Sequence, residues 1–421
     1  MKVGAGALFL TTKPEEPDLI RKWAKSVGRE MDICEVTAAG PHTMNMLELA
    51  VSQKGLNSAG GTEGIVSLLN EGTDLVDRNA DRKSGDNAIW ESARNAFTRN
   101  LVDALRIVGA EIQIHALSEF VATAPRTRQE AESLRAKIEE IVLGRSEANA
   151  LSVAGRVLLL VRLAIRTGET DVDSDTCRAT WDYWMKEWVN LPQKTMGSIE
   201  FTWGTLVGAL KRGDLAALCM KRTTLHPSAL RNGSIVVLNL PTREFGDAGR
   251  VVQGMMKYLF QKELERGGDG HDKSRPVLLA IDEAAGFLTP YDVTFQSTAR
   301  SSRVCTLMAT QSLASVRQVL GSDGAETLLG VLQTKVIHSV DGETSRWAAD
   351  LIGQDWDTQM TFQNNGGYSF SQQMKYKVEP IRFSQLARGG PENGLLCEAV
   401  VFKPGARWNG ENFVKVAFSQ R

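Results

Sequence analysis

Cysteine is sparse in this sequence and shows no pattern. Cys34, Cys177, Cys219, Cys305 and Cys397 are scattered over 421 residues without a CxxC pair. That excludes a small disulfide-stapled scaffold, and an odd number in a chain this long points to reduced thiols in a cytoplasmic compartment. Three of the five sit in apolar, strand-like runs, where a thiol is expected to fill core space. The five histidines have no ligand spacing, so no structural zinc is expected. Long hydrophobic runs are missing too. The longest candidate, Val157–Val161, is bounded by Arg156 and Arg162, far short of the roughly 18–20 residues that span a bilayer. The apolar stretch near Met1 is only a few residues long, so no signal peptide is expected. Charge of one sign is also lacking: the net charge is −1. Any nucleic-acid binding must then rest on local basic segments such as Lys211-Arg212 and Lys221-Arg222. No internal repeat or low-complexity tract occurs.

The chain is long enough to bury a large core and to form two domains. Its most informative stretch is Arg275–Leu313. Val277–Ile281 is an uninterrupted apolar run, as expected for a strand covered on both faces in a parallel α/β sheet. It runs into Asp282-Glu283, and open α/β sheets place their ligands at the carboxyl ends of such strands. A second apolar run, Val304–Ala309, ends in Thr310-Gln311-Ser312. The unit reads strand, acidic pair, helix, strand, polar tip. That is the layout of a Walker B site in a P-loop NTPase. Asp282 would hold the magnesium shell, Glu283 would orient the attacking water, and Gln311 would sense the γ-phosphate. Arg300 and Arg303 supply the cation that phosphoryl transfer requires. The plainer alternative is that Asp282 and Glu283 only cap the helix that follows.

The string TARSSRVCTLMATQSL, with IDEA before it, resembles the TraG/TraD-type coupling ATPases of type IV secretion and conjugation. The resemblance extends to ALFLTTKPEEPDLIRKWAKSVGR, SGDNAIWESARNAFTRN, QTKVIHSVDGETSRWAADLIG and EAVVFKPGARW, in order along most of the chain. It implies a RecA-like motor that binds ATP and magnesium, assembles as a homo-hexamer and binds DNA non-specifically. The motor would deliver a relaxase–DNA or protein substrate to channel components of the secretion system. Its place would be cytoplasmic, at the inner face of the inner membrane. The resemblance also implies that an arginine near Arg300 reaches the neighbouring subunit's nucleotide, with Arg303 as the competing finger. One expected part is missing: no GxxxxGK[ST] occurs, and Gly4-Ala5-Gly6 lacks the Lys and Ser/Thr of a phosphate loop. In the family that loop and its helix precede the strand that resembles Ala7–Thr11. Either the chain starts after that point or the loop is lost in a pseudo-ATPase.

In chain order, Ala7–Thr11 reads as a strand, Glu15–Val27 as a helix with Leu19, Ile20, Trp23 and Val27 at helical spacing, and Ile33–Val36 as a second strand. Residues 84–232 read as helical. Asp86 is an N-cap candidate, followed by an apolar face of Trp90, Ala93, Phe97, Leu101, Leu105 and Val108. Trp181, Tyr183, Trp184 and Trp188 form a stripe that is more simply core than a stacking platform. Ser234–Leu240 returns to strand and Asp247–Arg266 to helix, then Gly267–Ser274 is a polar loop. After Gln311 a helix runs to about Leu320. Lys335–Val340 is a strand, and Thr344 is expected to cap the helix Ser345–Ile352. Gln363–Val378 reads as a hairpin whose Tyr368, Phe370, Lys375, Tyr376 and Lys377 either contact a nucleic-acid strand or stand exposed without a ligand. Leu395–Phe402 is expected to close the sheet.

The expected architecture is therefore α/β. Residues 1–83 and 233–421 would form a RecA-like P-loop NTPase sheet, and residues 84–232 an inserted all-α domain. The functional expectation is an ATP-driven coupling motor. The rivals are a non-hydrolysing pseudo-ATPase scaffold that recruits substrate or partners, and a related DNA-packaging motor.

Overall fold

The computed structural model describes residues 4–51, 61–77, 84–266, 275–362, 366 and 368–420. Five apolar runs become one parallel sheet: β1 (Gly6–Leu10), β2 (Ile33–Val36), β3 (Ile235–Leu238), β4 (Val277–Ile281) and β5 (Val304–Met308), in the order β2-β3-β1-β4-β5. β1, β3 and β4 are buried at nearly every position, which is why their sequences carry no polar alternation. β1 lies between β3 and β4, with Leu10 level with Leu238 on one side and Ile281 on the other. Gly6 is dictated by crowding, since a Cβ there would fall 1.9 Å from the Leu230 carbonyl oxygen.

Helix α1 (Glu16–Ser26) returns β1 to β2. Ile20 and Ala24 pack on Ala7, Phe9, Ile235, Val237 and Ala280. Leu19 and Trp23, expected on the same inward face, are instead exposed, so the buried stripe is narrower than the spacing suggested. The connection from β2 to β3 is helical: α2 (Met46–Ala50), α3 (Gly61–Val76), α4 (Ser84–Ile107), α5 (Ile114–Thr123), α6 (Arg128–Val142), α7 (Val153–Thr167), α8 (Ser174–Asp182), α9 (Gln193–Leu210) and α10 (Gly213–Met220). Asp86 falls inside α4 rather than at its cap. The aromatic stripe is core. Phe97 lies 5.1 Å from Trp188 and 5.9 Å from both Trp184 and Trp203, ring centre to ring centre. Trp184 and Trp188 are almost wholly buried, so stacking on nucleic-acid bases is closed to them.

Helix α11 (Thr242–Arg266) leads from β3 towards β4. It breaks at Gly246, whose φ of +57° suits glycine, so regular helix starts at Asp247. The loop expected at Gly267–Ser274 lies outside the described residues. After β4 come α12 (Pro290–Ala299) and then β5. β5 is an edge strand with Cys305 and Leu307 exposed on one face, and Leu307 is 59 % accessible. Cysteines expected as core fillers on strands are therefore only half-buried (Cys34, Cys397) or exposed (Cys305); Cys177 and Cys219, on helices, are the buried ones.

The chain divides into two compact units, Met1–Tyr291 with Thr298–Ala309, and Asp292–Ser297 with Thr310–Arg421. The second has its own sheets. It holds α13 (Leu313–Val331), β6 (Lys335–Ile337), α14 (Gly342–Ile352), β7 (Gln354–Phe362), β8 (Tyr368–Tyr376), α15 (Pro380–Ser384), β9 (Leu396–Phe402) and β10 (Phe413–Ser419). Leu395–Phe402 does not close the parallel sheet: β9 pairs antiparallel with β6 and β10 in a separate three-stranded sheet. Its core joins Ile337, Val400 and Phe402 to Ala348, Ile352, Phe383 and Leu386. α13 runs past Leu320 to Val331, with a break at Gly321. Thr344 lies inside α14 and its hydroxyl accepts the Leu313 N–H at 3.4 Å. The hairpin is longer than expected, pairing β7 with β8 from Gln354↔Tyr376 to Phe362↔Tyr368.

Candidate functional site

The carboxyl edge of the parallel sheet gathers the charged residues. β1 ends at Leu10 and continues through Thr11-Thr12-Lys13. β4 ends at Ile281 and continues into Asp282-Glu283. The parallel register brings these two ends side by side, and the Lys13 Nζ stands 3.5 Å from an Asp282 carboxylate oxygen. Asp282 in turn raises the pKa of Lys13 above the ordinary lysine value. Glu16, on the first turn of α1, accepts the Thr12 N–H at 2.8 Å. Burial raises its pKa, and a hydrogen bond with the Asp282 carboxyl raises it further. Two carboxyls and one lysine thus share one corner.

Glu283 takes the left-handed conformation, with φ of +47°. Non-glycine residues held there are uncommon and cluster at functional sites. The surroundings fix this turn. The Ala284 N–H donates to the Ala309 carbonyl at 2.7 Å, and the Gly286 N–H to the Glu283 carbonyl at 2.8 Å. Beneath it, the fully buried Lys257 donates to the Phe287 carbonyl at 2.8 Å. The Thr289 hydroxyl donates to the buried Glu71 carboxylate. Gln253, also fully buried, donates to the Thr11 and Leu240 carbonyls at 3.1 and 2.8 Å, tying the ends of β1 and β3 together. Sequence reading did not find Lys257 or Gln253. Their only signal is a polar residue on the otherwise apolar face of α11, among Val252, Met256 and Phe260.

Glu283 borders a cleft of about 710 Å³ that is also lined by Thr12, Lys13, Arg243, Arg250 and Phe287. That size falls in the usual range for ligand pockets. Arg243 is exposed. Arg250 is anchored by the Leu75 carbonyl at 3.0 Å and by Asp247 at 3.2 Å. Three cations thus line the cleft together with Glu15 and Glu283, and cations grouped in this way can hold a polyanion.

The arginines expected to complete the site stand at the opposite edge. Arg303 immediately precedes β5, and its carbonyl accepts the N–H of Val277 at the start of β4. Arg300 is one turn earlier, just past α12, and both are exposed. At ~3.3 Å per residue, the length of β4 puts Arg303 and Asp282 about 20 Å apart. Neither arginine meets Asp282 within one chain. Gln311 follows β5 by three residues and belongs to the second unit. The basic pairs Lys211-Arg212 and Lys221-Arg222 flank the two ends of α10. On the hairpin, Lys375 pairs with Asp357 at 3.6 Å and Lys377 with Glu411 at 2.7 Å.

Comparison with known proteins agrees with this architecture. Residues 276–386 match the family model described as the TraM recognition site of TraD and TraG. No curated protein matches the sequence. Among solved structures, the unbound conjugative coupling protein TrwB (residues after a 70-residue N-terminal deletion) shares 13 % identity at a TM-score of 0.54. That alignment covers 100 % of this chain and 86 % of the other. TrwB with the ATP analogue ADPNP gives 12 % identity and a TM-score of 0.56, over 100 % and 87 % of the two chains. TrwB with ADP and Mg2+ gives 11 % and 0.55, over 100 % and 86 %. The fold is thus that of a RecA-like P-loop NTPase, and in its matched segment and its fold this chain is similar to the TraG/TraD-type coupling proteins of conjugation.

Proposed function

We propose that the chain is a conjugative coupling protein whose nucleotide site is the carboxyl edge built around Asp282 and Glu283. The observation that carries the reading is Glu283 with Lys13, Arg243 and Arg250 around one cleft and Asp282 paired with that Lys13, in a fold that TrwB shares and in which TrwB was solved with ADPNP and with ADP and Mg2+. A magnesium nucleotide fits this chemistry. Asp282 is the half-exposed carboxylate suited to the water shell of magnesium. Lys13, Arg243 and Arg250 are suited to phosphate oxygens, and Glu283 to holding a water in line. Gln311 is proposed as the γ-phosphate sensor, and Arg300, with Arg303 as the alternative, as a finger serving a neighbouring copy in a homo-hexamer. In domain terms, residues 1–83 and 233–421 form the nucleotide-binding part, and 84–232 the helical insertion that faces substrate. The cargo is DNA, delivered with its relaxase to the channel of a type IV secretion system at the inner face of the inner membrane.

A second reading has its own support. No GxxxxGK[ST] loop occurs in the sequence, so the main-chain amides and lysine that hold β- and γ-phosphates are not among its residues. The rival is a scaffold that recruits substrate without hydrolysing ATP, in which the Lys13–Asp282 pair only ties the ends of β1 and β4 together. Both readings make the chain necessary for transfer, and only the motor needs Glu283. Removing the chain from a conjugating donor should abolish plasmid transfer while leaving relaxase nicking intact; undiminished transfer sinks both readings. Complementation with Glu283→Gln should leave transfer absent for a motor and restore it for a scaffold.

DNA binding is expected to come from exposed lysines and arginines such as those flanking α10. With about four phosphates neutralised, affinity should drop ~100-fold between 50 and 200 mM salt. An affinity indifferent to salt, or a strong preference for one sequence, counts against this part.

A further inference from the structure

The β7–β8 hairpin has two unlike faces. Side chains alternate across a strand pair, so the register sorts them into rungs. One face carries Asp355 with Lys375, Asp357 with Gln373, and Gln359 with Ser371. The other carries, in order, Gln354 with Tyr376, Trp356 with Met374, Thr358 with Gln372, Met360 with Phe370, and Phe362 with Tyr368. That second face holds no charged side chain. Yet its large side chains are open to solvent: Trp356 65 %, Met360 61 %, Phe362 63 %, Tyr368 61 %, Phe370 68 % and Met374 46 %. At ~200 Å² per side chain of this size, these present about 700 Å² of apolar surface. The largest patch on an ordinary monomer is roughly 300–600 Å². The hairpin is tied down at its base, where the Tyr376 hydroxyl donates to Asp350 at 2.8 Å and the Lys377 N–H to the Gly353 carbonyl at 3.1 Å. A two-stranded ribbon without a packed face is only marginally stable in water.

We propose that this face is covered by the same face of a second copy of the chain. Three observations select that occupant. The face is uncharged, and the nearby lysines are held by Asp357 and Glu411, so neither a nucleic-acid backbone nor an acidic peptide finds complementary charge. About 700 Å² on each of two copies approaches the standard interface share of ~800 Å² per partner. The order of the rungs is also self-complementary. The polar rung, Thr358 with Gln372, is central, and an aromatic–methionine rung lies on each side of it. Turning a second hairpin about a two-fold axis across the strands sets Thr358 against Thr358 and Gln372 against Gln372. The Trp356–Met374 rung then meets Met360–Phe370 of the other copy. The polar groups find each other and the apolar groups interdigitate, as in two sheets packed face to face at about 10 Å. Such a contact joins like patches, whereas a cyclic ring joins unlike ones. It is therefore separate from the ring proposed above and does not depend on it.

The test uses the full chain. Sedimentation from about 1 to 100 µM should show a concentration-dependent doubling of mass. Phe370→Glu should weaken the association at least 100-fold, and Trp356→Ser at least 10-fold, with unchanged circular dichroism. Gln359→Lys, on the polar face, should leave it unaltered. A short bis-maleimide should link two copies of Thr358→Cys, but not of Gln359→Cys, beyond the level seen with the native cysteines. The proposal is overturned by a mass that never doubles, by a doubling that Phe370→Glu and Trp356→Ser leave intact, or by equal cross-linking of Thr358→Cys and Gln359→Cys. Transfer and hydrolysis play no part in these readouts, so failure here leaves the coupling-protein reading standing.

Discussion

The two edges of the parallel sheet use arginine differently. At the amino edge, arginines clamp the main chain. Arg29 donates to the Ala5 carbonyl at 2.6 Å and to the Gly233 carbonyl. Arg231, almost fully buried, donates to the carbonyls of Arg275 at 3.0 Å, Leu264 at 3.4 Å and Ser302. Arg275 reaches the Asn232 carbonyl. At the carboxyl edge, Arg243 and Arg250 line a cleft with Glu15 and Glu283; Arg250 is also tied to the Leu75 carbonyl, whereas Arg243 is exposed. One edge is held shut by its charges, and the other keeps them facing a space. In open α/β sheets the ligand crevice lies at the carboxyl ends, and this division of labour is what that rule looks like in charge. The exposed Arg300 and Arg303 stand on the clamped edge without adding to its clamps, which is the reason for assigning them to a neighbouring copy.

The largest expected effect tests that assignment. In a chain supplied with a GxxxxGK[ST] loop ahead of β1, Arg300→Ala should cut ATP hydrolysis by a factor on the order of 10³ while nucleotide binding and assembly persist. Mixing it with Glu283→Gln subunits should restore part of the activity, because some interfaces then contain both an intact glutamate and an intact finger. Normal hydrolysis by Arg300→Ala with loss in Arg303→Ala moves the role to Arg303. Insensitivity to both changes abolishes the contrast between the edges.

The next effect is on folding. Arg231→Met removes the donor from three carbonyls at once, and buried acceptors left without partners cost roughly 1–3 kcal/mol each before local relaxation. Unfolding in urea should show a loss of about 3 kcal/mol or more. Arg243→Met, at the other edge, should change stability by no more than ~0.5 kcal/mol. Equal losses from the two substitutions would mean that the edges do not differ as described.

Much of this was legible in the sequence, and what was not shares a cause. VLLAI, IVVL and GALFL announce buried parallel strands because nothing polar interrupts them, and the acidic pair at Asp282 follows from the strand end. Lys335–Ile337 and Leu396–Phe402 were readable as strands, but a strand's own residues do not state its partner, so their antiparallel sheet was hidden. Leu19 and Trp23 match helical spacing, yet only the narrower arc of α1 carrying Ile20 and Ala24 meets the sheet. Cys305 sits in an apolar run that ends up on an edge. Arg231 and Gln253 draw their roles from carbonyls 71 and 242 residues away, beyond any local pattern. The distance between Arg303 and Asp282, by contrast, follows once β4 and β5 are known to be parallel.

The smallest effect concerns the carboxyl edge alone. Burial and the Asp282 carboxyl raise the pKa of Glu16 above its ordinary value of 4.5. An acid whose folded-state pKa is raised disfavours the fold while ionised, so this strain is present at neutral pH and is relieved as pH falls through the raised value towards 4.5. Lys13 works in the other direction on the pH scale: its raised pKa gives stability that is present below 10.5 and lost above it, so it does not vary in the acid range. Glu16→Gln keeps an oxygen to accept the Thr12 N–H and removes the second charge beside Asp282. The variant should therefore be more stable than the parent at pH 8, by no more than about 1 kcal/mol in so open a corner. Its advantage should shrink as the pH falls towards 4.5 and the parent's carboxyl takes up its proton. Urea midpoints at pH 8 and pH 5 measure this directly. If the advantage is equal at both values, Glu16 is not the titrating group; if Glu16→Gln is the less stable protein at pH 8, its carboxylate is held by Lys13 more than it is repelled by Asp282.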